Sequence, residues 1–139
     1  MSSRILTIED DPSTLEMLQT LLQSEGYEVI SSAVAHEMAE VEAMHPDLII
    51  LDIRLPSQPN GFTFLQQLKL YHPTKDIPVI ICTADVLYAR EQEEHLRDKG
   101  IPIICKPFNI DGLSQRVHQV LSSSNPSEQS RETSYLTAQ

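Results

Sequence analysis

Five short apolar runs, separated by amphipathic segments, restrict this chain to few folds. They are residues 4–8, 27–31, 47–51, 77–82 and 101–105, each rich in Ile, Leu or Val. Runs this short and this continuously apolar suit strands covered on both faces, and so a parallel sheet.

The segments between them read as helices. Asp11-Pro12 sets a capping carboxylate before a proline suited to a first helical turn, Leu15, Leu18 and Leu22 follow at helical spacing, and Gly26 is a stop signal. A second helix is expected over about 33–44, with Val34, Met38 and Val41 on one face. A third follows Gly61, carrying Phe62, Leu65 and Leu68. The fourth, about 86–98, is highly charged and offers little apolar surface beyond Val86, Leu87, Ala89 and Leu96. The fifth, about 110–121, would bury Leu113, Val117 and Val120 or Leu121. Alternating strands and helices imply right-handed βαβ units and a three-layer α/β sandwich. One domain over 1–121 is expected, with 122–139, rich in Ser, Gln, Thr and Glu, as a disordered tail or linker stub.

Charge and composition exclude several classes. Asp and Glu outnumber Lys and Arg 20 to 10, for a formal net charge of −10, which argues against a direct nucleic-acid surface. No apolar run approaches the roughly 20 residues a membrane span requires, and the N-terminus lacks a signal peptide's features, so a soluble, cytoplasmic protein is expected. Cys82 and Cys105 both lie in apolar stretches and read as buried free thiols. The five histidines (His36, His45, His72, His95 and His118) show no ligand spacing and read as surface residues.

In open parallel sheets, ligands bind beyond the carboxyl ends of the strands. The strands end in Glu9-Asp10-Asp11, Asp52, Thr83-Ala84 and Lys106-Pro107. Gathered on one edge, the carboxylates would repel one another and need a cation. Hard oxygen ligands select Mg²⁺ or Ca²⁺, and few carboxylates plus water and phosphate suit Mg²⁺. A hydroxyl and an ammonium could hold phosphoryl oxygens, and a carboxylate can attack phosphorus. The cluster describes phosphoryl transfer to an aspartate. Taken singly, each residue has a plainer reading: Glu9 and Asp10 as helix caps, Thr83 as a strand-end threonine, Lys106 as a surface lysine.

Together the motifs resemble the receiver domains of two-component response regulators. They are Ile-Leu-Thr-Ile-Glu-Asp-Asp-Pro at 5–12, Asp-Leu-Ile-Ile-Leu-Asp-Ile-Arg-Leu-Pro at 47–56, Ile-Ile-Cys-Thr-Ala at 80–84 and Cys-Lys-Pro-Phe at 105–108. The resemblance covers about 4–121. It implies a flavodoxin-like, doubly wound fold with a five-stranded parallel sheet in the order 2-1-3-4-5. It implies Asp52 as phosphoacceptor, and Thr83 and Lys106 as partners of phosphoryl oxygens. It also implies a Mg²⁺ site from Glu9 (mainly through water), Asp10, Asp52 and the Arg54 carbonyl, and a cis Lys106-Pro107 bond. Arg54 and Asp85, by the same resemblance, flank the path of an attacking water and carry opposite charges that can pair.

Three departures from the family pattern stand out. Gly61 follows Asp52 by one residue more than usual, which lengthens the loop at 57–60. Gly100 lies closer to Lys106 than usual. Ile103 stands where many relatives carry Tyr or Phe, so the usual aromatic switch is in doubt. The Ala-Asp-Asp-Tyr stretch of one transcription-factor subgroup is missing, which favours a monomer or weak dimer. The expected function is a stand-alone phosphorylation switch rather than an enzyme. Its donor would be a sensor histidine kinase or phosphotransfer protein, and its output a changed face around the fourth helix and fifth strand for an unknown downstream protein. The alternatives are the receiver part of a longer regulator, a phosphorylation-independent binding module and a flavin protein. The last would need a phosphate loop that four glycines do not supply.

Overall fold

In the computed structural model, which describes residues 2–56 and 59–124, five strands and five helices alternate. In chain order they are β1 (Arg4–Ile8), α1 (Pro12–Ser24), β2 (Glu28–Ser32), α2 (Met38–Met44), β3 (Leu48–Asp52), α3 (Gly61–Leu70), β4 (Val79–Thr83), α4 (Val86–Asp98), β5 (Ile103–Cys105) and α5 (Ile110–Ser124). The strands form one parallel sheet in the order β2-β1-β3-β4-β5. This is the flavodoxin-like arrangement expected from the sequence.

Side chains leave successive strand residues on opposite faces, so each strand feeds two cores. Leu6, Ile8, Ile49, Leu51, Val79 and Ile81 face Val41 of α2, Phe64, Leu65 and Leu68 of α3, and Leu96 of α4. Ile5, Leu48, Ile50, Ile80 and Cys82 face Leu18 and Leu22 of α1 and Leu113 and Val117 of α5. β3 and β4 are buried along their whole length, which is why their sequences read as unbroken apolar runs. Each such Leu or Ile stabilises the fold by about 1.5–3 kcal/mol.

The helix termini follow from local chemistry. Asp11 accepts the Thr14 amide at 3.0 Å, and Asn60 accepts the Thr63 amide at 2.9 Å, each satisfying an N–H that the first turn leaves free. Gly26, with φ of +93°, follows α1 in a conformation glycine adopts without strain.

Several expectations need correction. α2 begins at Met38 rather than near 33, and Val34 is half exposed. The Ser32 hydroxyl donates to the Val34 carbonyl at 2.7 Å and so favours a turn there, while the Glu40 carboxylate accepts the Glu37 amide and fixes the later start. Cys82 is buried, and burial pushes its thiol well up from its ordinary value. Cys105, expected to be buried, is exposed, because β5 is a three-residue edge strand and Cys105 is its last residue. Phe62, Val86 and Leu87 also point outward. Of the histidines, His36 is half-buried, with Nε2 at 2.8 Å from the Ser32 hydroxyl; the other four are exposed. α5 runs to Ser124, past the limit at 121. The stretch from 125 on, read as a tail, lies outside the described residues, as do Ser57 and Gln58 of the lengthened loop.

Candidate functional site

The parallel sheet brings the ends of β1, β3, β4 and β5 to one edge, and the residues singled out in the sequence meet there. Glu9 follows β1 directly. Its amide donates to the Ser32 carbonyl at 3.0 Å, so the first residue after the strand is still held by β2. Its carboxylate is buried, accepting the Asp11 amide at 3.1 Å and the Lys106 ammonium at 2.5 Å. Asp52 ends β3 and is 4% exposed. One of its oxygens accepts the Arg54 amide at 2.9 Å and the other the Lys106 ammonium at 3.1 Å. Asp10 is exposed at the rim. A ligand atom from each of Glu9, Asp10 and Asp52 lies within 4.8 Å of the others.

Lys106 is therefore bound to two buried carboxylates at once. Burial alone would pull its pKa down, but the bonds to Glu9 and Asp52 outweigh that, and the ammonium is held above its ordinary value. Glu9 moves up as well: burial is the main cause and the Asp52 charge adds to it, against the opposing bonds from Lys106 and the Asp11 amide. One ammonium facing three formal carboxylate charges leaves the crevice short of positive charge. All the donors there are hard oxygens, and the mouth is open at Asp10. That set fits a small divalent cation of the Mg²⁺ kind.

Thr83, fully buried, ends β4. Its hydroxyl accepts the Asp85 amide at 3.0 Å, which leaves its own hydrogen to donate. Its carbonyl accepts the Lys106 amide at 2.8 Å, tying the hydroxyl and the ammonium to one rung of the β4–β5 ladder. The peptide bond that follows, Lys106-Pro107, is cis, as expected.

Arg54 and Asp85 pair across the mouth, as their charges suggested. Asp85 is held below its ordinary value, first by the Tyr88 amide and then by the Arg54 guanidinium; Arg54 is raised in return.

Three features escaped the reading of the sequence. Asp85 is also the N-cap of α4, accepting the Tyr88 amide at 2.9 Å; an Asp directly before a helical pattern was the available signal. Tyr88 packs against the core although it stands in a charged helix. Gly61 lies against the backbone after the acceptor: a Cβ there would sit 2.5 Å from Ile53 Cα and closer still to the Asp52 carbonyl oxygen. No pattern in the sequence reports such an approach.

Residues 5–118 match the sequence profile of the response regulator receiver domain. The chain belongs to that family. Among curated relatives, this receiver is 32% identical over 119 residues to the DNA-binding dual master transcriptional regulator RpaA of Synechocystis, covering 85% of this chain and 48% of that protein. It is 28% identical over 123 residues to the polar-differentiation response regulator DivK of Brucella ovis, covering 87% and 98%. Among solved structures, the CheY-like receiver domain protein of Methanospirillum hungatei JF-1 superposes with a TM-score of 0.76 at 28% identity, covering 89% of this chain and 97% of that one. The receiver thus spans about half of the first curated relatives it matches and nearly all of others. No helix among the described residues is long and apolar enough to cross a membrane.

Proposed function

We propose that this chain is a phosphorylation switch in which Asp52 takes a phosphoryl group from a phosphohistidine on a sensor histidine kinase or phosphotransfer protein. The Lys106 ammonium, poised between Glu9 and Asp52 beside the buried Thr83 hydroxyl, is the observation that carries this reading.

A carboxylate oxygen of Asp52 forms the new bond to phosphorus, the phosphorus–nitrogen bond breaks, and its electron pair leaves with the imidazole, which solvent protonates. Lys106 neutralises one phosphoryl oxygen, and the Thr83 hydroxyl donates to another. Mg²⁺, held by Asp10, Asp52, the Arg54 carbonyl and, through water, Glu9, would offset charge on the phosphoryl oxygens. Acyl-phosphate hydrolysis resets the switch. Self-phosphorylation and autodephosphorylation are the only catalysis this reading assigns. It carries with it a cytoplasmic location and a monomer or weak dimer.

Intact mass after treatment with acetyl phosphate and Mg²⁺ tests the assignment. The unmodified sequence should gain one phosphoryl group, and Asp52→Asn should gain none. Retained modification of Asp52→Asn at a similar rate would overturn it.

A second reading makes the chain the receiver part of a longer regulator with its own output domain. The half coverage of RpaA favours it. The length of the full gene decides between the two.

A further inference from the structure

Among the described residues, one buried side-chain polar atom has no hydrogen-bond partner: the Tyr88 hydroxyl. Its ring lies against the core cluster that holds Ile53, Leu55, Ile81, Leu96 and Ile101. Leaving such a group without a partner is costly, because water satisfied it before folding. A native protein seldom retains that cost where a phenylalanine would do.

Tyr88 is also wired to the proposed phosphorylation site by a short run of bonds. The Thr83 hydroxyl accepts the Asp85 amide. The Asp85 carboxylate accepts the Tyr88 amide and pairs with Arg54, which stands two residues beyond Asp52. A shift of the Thr83 oxygen towards a new anion would disturb the Asp85 amide bonded to it, and with it the cap of α4.

The helix is poorly anchored. Ala89 and Leu96 are its buried residues, while Val86 and Leu87 face outward. The Tyr88 ring is therefore a large part of what holds the first turn of α4 to the core. Ile103, the β5 residue packed against the same cluster, has no polar tip to move for.

We infer that Tyr88 is the side chain α4 releases on phosphorylation: buried with its hydroxyl unpaired at rest, and rehydrated when Thr83 engages the phosphoryl group. The inference rests on Asp52 as acceptor and adds to that reading a residue that stores bias towards the active form. The unpaired hydroxyl destabilises the resting form only, so it favours any ligand that selects the active one.

Two measurements on the full chain test this, with beryllofluoride and Mg²⁺ as the phosphoryl mimic. In the first, Tyr88→Phe removes the hydroxyl and keeps the ring. Its affinity for beryllofluoride should fall by roughly five- to hundredfold, the worth of one unsatisfied polar group. An equal or tighter affinity overturns the inference. In the second, the four tyrosines are replaced by 3-fluorotyrosine and followed by ¹⁹F NMR, with the Tyr88 signal assigned by its loss in Tyr88→Phe. The Tyr88 signal should move towards the solvent-exposed range on adding beryllofluoride, whose bound form appears in the same spectrum. Bound beryllofluoride beside an unmoved Tyr88 signal overturns the inference and spares the Asp52 reading. Absence of any bound signal overturns the Asp52 reading, and this inference falls with it.

Discussion

Lys106 and Asp52, 54 residues apart in sequence, meet at 3.1 Å between the ends of β5 and β3, where the same ammonium also binds Glu9. The two carboxylates are buried, so the lysine holds together groups that would otherwise repel. Lys106→Met should destabilise the fold by about 3 kcal/mol, the lower part of the range for breaking a buried pair, because the crevice opens to solvent. Urea denaturation with and without Mg²⁺ checks this. The loss should be larger without the ion, and equal losses would mean the ion does not offset the same charges.

The Glu9 carboxyl has a folded-state pKa raised above 4.5, chiefly by burial. A raised value means that the folded chain holds this proton more tightly than the unfolded one. The resulting stabilisation is full below pH 4.5 and is lost as pH rises through the raised value. Glu9→Gln should flatten that part of a Mg²⁺-free stability profile. An unchanged slope in the variant would assign it to another group.

Mg²⁺ should raise the melting temperature, because the proposed site is assembled only in the folded state. A hundredfold excess over Kd adds about 2.7 kcal/mol. Asp10 is the exposed member of the carboxylate cluster, so removing it opens no cavity. Asp10→Ala should largely abolish the rise, as read by calorimetry. A full rise in the variant would place the ion elsewhere.

On the proposed reading, the Arg54–Asp85 pair flanks the path of a hydrolytic water. Since Asp85 also caps α4, alanine there tests two roles at once. Asparagine keeps the cap and removes the charge. Arg54→Ala combined with Asp85→Asn should lose its phosphoryl group faster at an unchanged melting temperature, whereas Asp85→Ala should also melt lower. Release of radiolabelled phosphate gives the rate. Identical decay in all three proteins would remove the gating role.

Activation should be read mainly in α4. Its thin apolar face makes it one of the weaker attachments in the fold. Hydrogen exchange with and without beryllofluoride and Mg²⁺ should show the largest change over 84–99, without a rotamer change at Ile103. A stronger response in β5 or α1 would send the signal by another route.

The sequence disclosed most where burial is two-sided. β3 and β4 read as strands because both faces are buried and apolar up to their last residues, and the strand ends then pointed to Glu9, Asp10, Asp52, Thr83 and Lys106. It disclosed less where one hydrogen bond decides. Val34 looks like a helix-face residue until the Ser32 hydroxyl is seen to favour a turn. Cys105 looks like a core thiol until β5 proves to be the edge. Tyr88 was hidden among charges, since one inward ring makes no period.

The edge position of β5 matters beyond Cys105. A strand with a free side is a template on which another chain can add, and a helix that loosens beside it increases the risk. Here the strand has three residues, with Pro102 just before it and Pro107 two residues after it. Neither proline has an N–H to offer, so the row of free donors is cut short at both ends. The fold thus leaves at β5 no length of backbone long enough to seed aggregation.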